Sequence, residues 1–101
     1  MYIAIPIDEN KNISKMLEAK EWAVIEFDEG VVKNIKYIQH WSEYVNYGID
    51  WLDFVVLENR FENAIDFLNE GIMVLARREG QDSIDDIMEA FKFKELDEAG
   101  F

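Results

Sequence analysis

Apolar residues fall into short runs separated by polar stretches, and the two kinds of run have different periods. Tyr2–Asp8 is almost continuously apolar, as expected of a strand covered on both faces. Pro6 cannot donate to a sheet ladder and is expected near the strand's end, where pairing lapses. Glu9–Lys20 is polar, with Ile13, Met16 and Leu17 at helical spacing, which fits a short helical turn or an irregular loop. Glu21–Asp28 and Val31–His40 read as strands joined by the tight turn Asp28-Glu29-Gly30, hence an antiparallel hairpin. Lys33, Asn34, Lys36 and Gln39 make the second of these polar, which suits a sheet edge.

Beyond residue 40 the period changes. Ser42 is positioned to cap a helix over 43–52, with Gly48 a point at which it can break. On a helical wheel Trp41, Tyr44, Val45, Gly48 and Leu52 cluster, with Tyr47 and Trp51 on one shoulder and Ile49 on the other. Phe54-Val55-Val56-Leu57, within Asp53–Glu58, is a buried strand. Asn59 with Glu62 resembles a capping box, and Phe61, Ala64, Ile65 and Leu68 follow the i, i+3, i+4, i+7 pattern until Gly71. Ile72–Ala76 is another buried strand. Ser83 with Asp86 opens a last helix whose core stripe is Ile84, Ile87, Met88 and Phe91. The order β-β-β-α-β-α-β-α predicts a single three-layer α/β domain over residues 1–93. Its sheet is mixed and five-stranded, an antiparallel hairpin plus parallel β-α-β units, and 94–101 is an acidic tail expected to fray.

Charge narrows the partners. The chain has 22 Asp and Glu against 10 Lys and Arg, a net charge of −12, which disfavours nucleic acid and anionic membranes. Cysteine is absent, so there is no disulfide, thiolate nucleophile or cysteine-ligated cluster. No apolar run is long enough to span a bilayer, and no basic stretch followed by an apolar run opens the chain. The expectation is a cytoplasmic protein.

The opening Ile3-Ala4-Ile5-Pro6-Ile7-Asp8-Glu9-Asn10 is followed by Trp22-Ala23-Val24-Ile25-Glu26-Phe27 and then Val32-Lys33-Asn34. Gly48-Ile49, Asp53-Phe54-Val55-Val56 and Gly71-Ile72-Met73-Val74 come next, in that order. This succession resembles the dinitrogenase iron–molybdenum cofactor biosynthesis family over most of the chain. The resemblance implies a ribonuclease-H-like fold and, in family members, binding or carriage of iron–molybdenum cofactor or iron–sulfur precursors. Where many members have Ser-x-His-Phe-Gly, this chain has Ser14-Lys15-Met16-Leu17-Glu18, with Met16 at the histidine's place and Glu18 at the glycine's. The glycine-rich loop common after the fourth strand is Glu58-Asn59-Arg60-Phe61-Glu62 here.

Few side chains invite chemistry. His40 is the sole histidine, beside Trp41, and reads as a strand-end residue before it reads as a ligand. Asp8, Glu9, Asp28, Asp53 and Glu58 raise the thought of a two-metal hydrolase, since Asp8 and Glu58 end strands expected to be neighbours. Abundant acids make such coincidences ordinary. Met16, Met73 and Met88 are soft donors, but methionine at apolar positions is mostly packing. Trp41, Tyr44, Tyr47 and Trp51 make the candidate interface, with Phe93 and Phe101 as lesser ones. The sequence favours a noncatalytic interaction or self-associating module, with no catalytic residue, no metal site and no cofactor. The alternative is a carrier of iron–molybdenum or iron–sulfur cofactor through noncysteine ligands.

Overall fold

The computed structural model describes residues 1–99. Its strands are β1 (Tyr2–Ile7), β2 (Glu21–Asp28), β3 (Val31–Ile38), β4 (Phe54–Leu57), β5 (Met73–Ala76) and β6 (Asp97–Glu98). They form one mixed sheet in the order β3-β2-β1-β4-β5-β6. β1 to β3 are antiparallel neighbours, while β4 runs parallel to β1 and β5 parallel to β4. The expected α/β domain is therefore present, with six strands in place of five. The sixth comes from the acidic tail, where Leu75 pairs with Glu98 and Ala76 with Asp97.

The hairpin follows from local chemistry. Glu29 and Gly30 both have positive φ, 51° and 77°, as a two-residue type I′ turn demands. The turn sets Asp28 opposite Val31, and a register shift beyond Glu26 marks a bulge in the ladder. β3 is the expected polar edge.

Pro6 is fully buried in a strand with neighbours on both sides. Alternation of the ladder explains why it is accepted. Met1 and Phe27 exchange 2.9 Å backbone hydrogen bonds, so odd-numbered residues of β1 turn their amides to β2. Even-numbered ones face β4, whose pairing covers only Ile3 and Ala4. Pro6 thus lacks its N–H at the point where the β1–β4 ladder ends. Its carbonyl accepts from Ser14 N–H at 3.0 Å, tying the 8–15 loop to the end of β1.

Strand alternation sorts the core into two layers. Ile3, Ile5, Ile7, Ala23, Ile25 and Val56 meet Ile84, Ile87 and Met88 of helix α2 (Ile84–Lys92). Ser83 caps α2 by accepting from Asp86 N–H, and Phe91 fills the gap between Phe27 and Phe54, with ring centroids 5.6 and 5.0 Å away. On the other face Ala4, Trp22, Val24, Val55 and Val74 pack against Tyr44, Leu52 and Phe67. No helix among the described residues is long and apolar enough to cross a membrane.

Two helices differ from expectation. The 43–52 helix is instead a 3₁₀ segment, Trp41–Tyr47, capped by His40 rather than Ser42 and closed at Gly48, whose φ is 78°. The break at Gly48 follows from glycine's access to the left-handed region. The second helix is only α1 (Ile65–Asn69). Asn59 and Glu62 do bond reciprocally, but they close a turn ahead of it: Glu62 Oε2 accepts from Asn59 N–H at 3.0 Å, and the Asn59 carbonyl accepts from Glu62 N–H at 3.2 Å. Of the predicted stripe only Ala64 is buried, while Phe61, Ile65 and Leu68 are exposed. Phe67, outside that stripe, is the residue inside.

Candidate functional site

Phe67 anchors an aromatic floor. Its ring stands 6.0 Å from Trp22 in an edge-on arrangement and 4.9 Å from Trp41. Trp22 and Phe67 are buried, while Trp41 is half-buried. Above this floor the 8–20 connection supplies a wall. It is pinned by Ser14 N–H on Pro6 O at 3.0 Å and by Lys20 N–H on Ile7 O at 2.9 Å. Between these anchors Met16–Glu18 makes one 3₁₀ turn. Met16 N–H donates to Glu62 Oε1 at 2.7 Å, which fixes that turn against the loop before α1.

The result is a groove of about 750 Å³ bounded by Met16, Leu17, Trp41, Asn63, Asp66 and Phe67. Leu17 stands on its lip with its side chain fully in solvent, at 101% relative exposure. A shallower depression of about 520 Å³ adjoins it through Glu62 and Asn63, lined by Phe61, Ile65 and Leu68. The residues that the helical stripe promised to the core thus form an exposed apolar surface beside the groove. Scattered exposed apolar residues are ordinary, whereas adjacent ones beside a concave site make a candidate binding surface.

The candidate interface divides. Tyr44 lies in the core and so leaves the surface set. Trp41 belongs to the groove. Tyr47 and Trp51 are exposed, but the 3₁₀ segment ends at Tyr47, so no continuous helical face carries all four. Trp51 Nε1–H donates to Asp53 Oδ1 at 3.2 Å, and Tyr2 N–H to Asp53 Oδ2 at 2.8 Å. Phe93 is exposed at the end of α2, and Phe101 lies outside the described residues.

His40 also lines the groove. Its Nδ1 lies 2.7 Å from Ser42 Oγ and accepts from Ser42 N–H at 3.3 Å, while its backbone N–H donates to Glu43 Oε1 at 2.6 Å. This is a helix cap, with histidine in the role sequence reasoning gave to Ser42.

Asp8 and Glu58 follow the ends of the parallel neighbours β1 and β4, as expected, while Asp28 and Asp53 lie elsewhere. Asp8 Oδ1 accepts from the backbone of Asn10 at 2.8 Å and Asn12 at 3.1 Å, organising its own loop. Glu58, at the end of β4, has Arg77 3.8 Å away, and the same guanidinium pairs with Asp82. Asp53 sits at the opposite end of β4, and Asp28 in the hairpin turn. Glu9 and Asp28 are exposed. No group of three or more His, Asp or Glu able to hold a metal occurs among the described residues. Met16 and Met88 lie on opposite faces of the sheet, and Met73 is exposed.

Iron–sulfur clusters are held chiefly by thiolates, and the groove offers one imidazole and one thioether. These donors do not fit such a cluster. Sequence reasoning saw Met16, His40 and Trp41 but missed Leu17, Asn63 and Asp66 as companions. The one local signal was an apolar Leu17 within a polar stretch.

Comparison with family models and with curated proteins gives no match. Solved structures do match. The crystal structure of a "putative dinitrogenase" from Methanocaldococcus jannaschii has a TM-score of 0.75 at 20% identity, covering 97% of this chain and 93% of that one. An NMR structure so described from Methanococcus jannaschii gives 0.75 at 21% identity, over 100% and 94% of the two chains. The crystal structure of PH0822 gives 0.69 at 21% identity, over 97% and 96%. The chain therefore shares its whole fold with these proteins.

Proposed function

We propose that this protein is a noncatalytic, cytoplasmic protein-interaction domain that works through the groove between Met16–Glu18 and the Glu62–Phe67 segment. The observation that carries this reading is the exposed Leu17 at the lip of an aromatic-floored groove, with Phe61, Ile65 and Leu68 exposed beside it. Interface centres favour aromatic and large apolar residues within a polar rim. The polar groups suited to chemistry hold local structure instead: His40 caps, Asp8 organises a loop, and Glu58 faces Arg77. The fold shared with the dinitrogenase-like structures supplies a scaffold, and a scaffold does not fix a function.

The test is a photo-crosslinking amino acid placed at Leu17 in the host cell, with Asp85 on the opposite layer as control. A discrete protein adduct from position 17 and none from position 85 is the expected result. Adducts of equal yield from both positions, or none from position 17, would end the reading. A product of two identical chains would identify self-association.

A second reading, carriage of a metal cofactor through noncysteine ligands, has one observation in its favour: Met16 and His40 line the same groove. Against it, His40 Nδ1 is committed to the cap. Anaerobic titration with iron–sulfur or iron–molybdenum cofactor separates the two, because carriage requires coelution and a changed absorbance.

A further inference from the structure

We infer that the occupant of the groove is a basic segment of another protein, which sets a bulky apolar side chain against Met16 and Leu17 and an Arg or Lys beside Trp41. The inference rests on the interaction reading and adds the chemistry of the partner. Around the groove stand Glu18, Glu62 and Asp66, with Lys15 the one Lys or Arg in its lining. These acids are not equivalent. Glu62 is satisfied by the backbone N–H groups of Met16 and Asn59. Glu18 and Asp66 are exposed and enter no ion pair among the described residues. They leave two negative charges facing the groove without a fixed counter-charge.

The floor suits a cation as well. Trp41 packs on Phe67, has the His40 ring 5.6 Å away, and keeps part of its surface in solvent. An indole face attracts a guanidinium or ammonium, and nearby carboxylates reinforce that attraction. Leu17 supplies apolar contact for the rest of the segment. A second copy of this chain fits poorly. It would bring a further net charge of −12 to an already acidic surface. The same charge repels nucleic acid and anionic lipid and steers a basic partner inward.

The test titrates the full chain, followed by backbone and indole N–H NMR signals, with two synthetic peptides. One alternates Arg or Lys with Leu and Trp in an amphipathic pattern; the other has Glu at every basic position. The basic peptide is expected to shift the Trp41 indole and the Leu17, Asn63 and Asp66 amides. Its affinity should fall roughly tenfold between about 50 and 500 mM salt. The double variant Glu18→Gln, Asp66→Asn, checked for an unchanged circular dichroism spectrum, should weaken binding at least about threefold.

Equal binding of the acidic peptide, an unchanged affinity in the double variant, or shifts confined to another surface would each overturn the inference. So would no shift at millimolar peptide, or groove shifts that grow with protein concentration alone. A groove crosslink from Leu17 alongside failure of the basic peptide would sink the partner's chemistry and leave the interaction reading standing.

Discussion

Glu62 reaches across 46 positions of sequence to accept the backbone N–H of Met16 at 2.7 Å. Its other oxygen holds Asn59 N–H at 3.0 Å. One half-buried carboxylate therefore ties together two loops that bound the groove. Hydrogen bonds to a charged group contribute more than neutral ones, and losing the acceptor leaves donors unpaired. Glu62→Ala should cost about 1–3 kcal/mol in urea unfolding. Amide exchange at Met16 and Asn59 should accelerate while that of β1 holds. Unchanged exchange at Met16 would show that the loops are held some other way.

Phe61 and Phe67 make a paired test of the core. Phe67 is 1% exposed and touches both Trp22 and Trp41, while Phe61 is 80% exposed. Phe67→Ala should destabilise the chain by about 3–5 kcal/mol through lost burial and a cavity. Phe61→Ala should stay within about 0.5 kcal/mol of the parent. Thermal and denaturant unfolding of the two variants side by side checks this, and the reverse order would mean the helical stripe faces inward after all.

His40 is expected to act through its cap. His40→Ala removes the acceptor for Ser42 N–H and should cost about 1 kcal/mol. His40→Asn retains a short acceptor at the same place and should recover most of that loss. If Asn is as damaging as Ala in a melting experiment, the ring contributes by its contact with Trp41, 5.6 Å away, rather than by capping.

Magnesium and manganese should show no saturable binding in calorimetry, with or without Asp8→Ala. Asp8 is occupied by the Asn10 and Asn12 amides, and Glu58 by Arg77. A heat signature that disappears in Asp8→Ala would restore the two-carboxylate site.

Arg77 lies between Glu58 and Asp82, all three partly exposed. Exposed pairs contribute little, so Arg77→Met should cost no more than about 1 kcal/mol at low salt and less at high salt. A larger or salt-independent loss would assign Arg77 a packing role along the 3.4 Å contact from its Nε to Glu58 O.

The hairpin, both parallel strands and α2 were legible in the chain because their signals are local. Positive-φ chemistry at Glu29-Gly30 fixes one turn, alternation fixes which side of a strand is buried, and nine helical residues suffice to display a stripe from Ile84 to Phe91. The 59–69 segment was not legible for the same reason turned around. Its helix has five residues, too few for periodicity to choose between a face with Phe61, Ile65 and Leu68 and one with Ala64 and Phe67. That choice was made by Trp22 and Trp41, which come from other parts of the sheet layer. The groove depends wholly on such distant meetings: Met16 with Glu62, Trp41 with Phe67. Local patterns specify which segments are strands and helices, but the energy of burying an aromatic ring or pairing an amide depends on what stands opposite, and only the folded chain decides that.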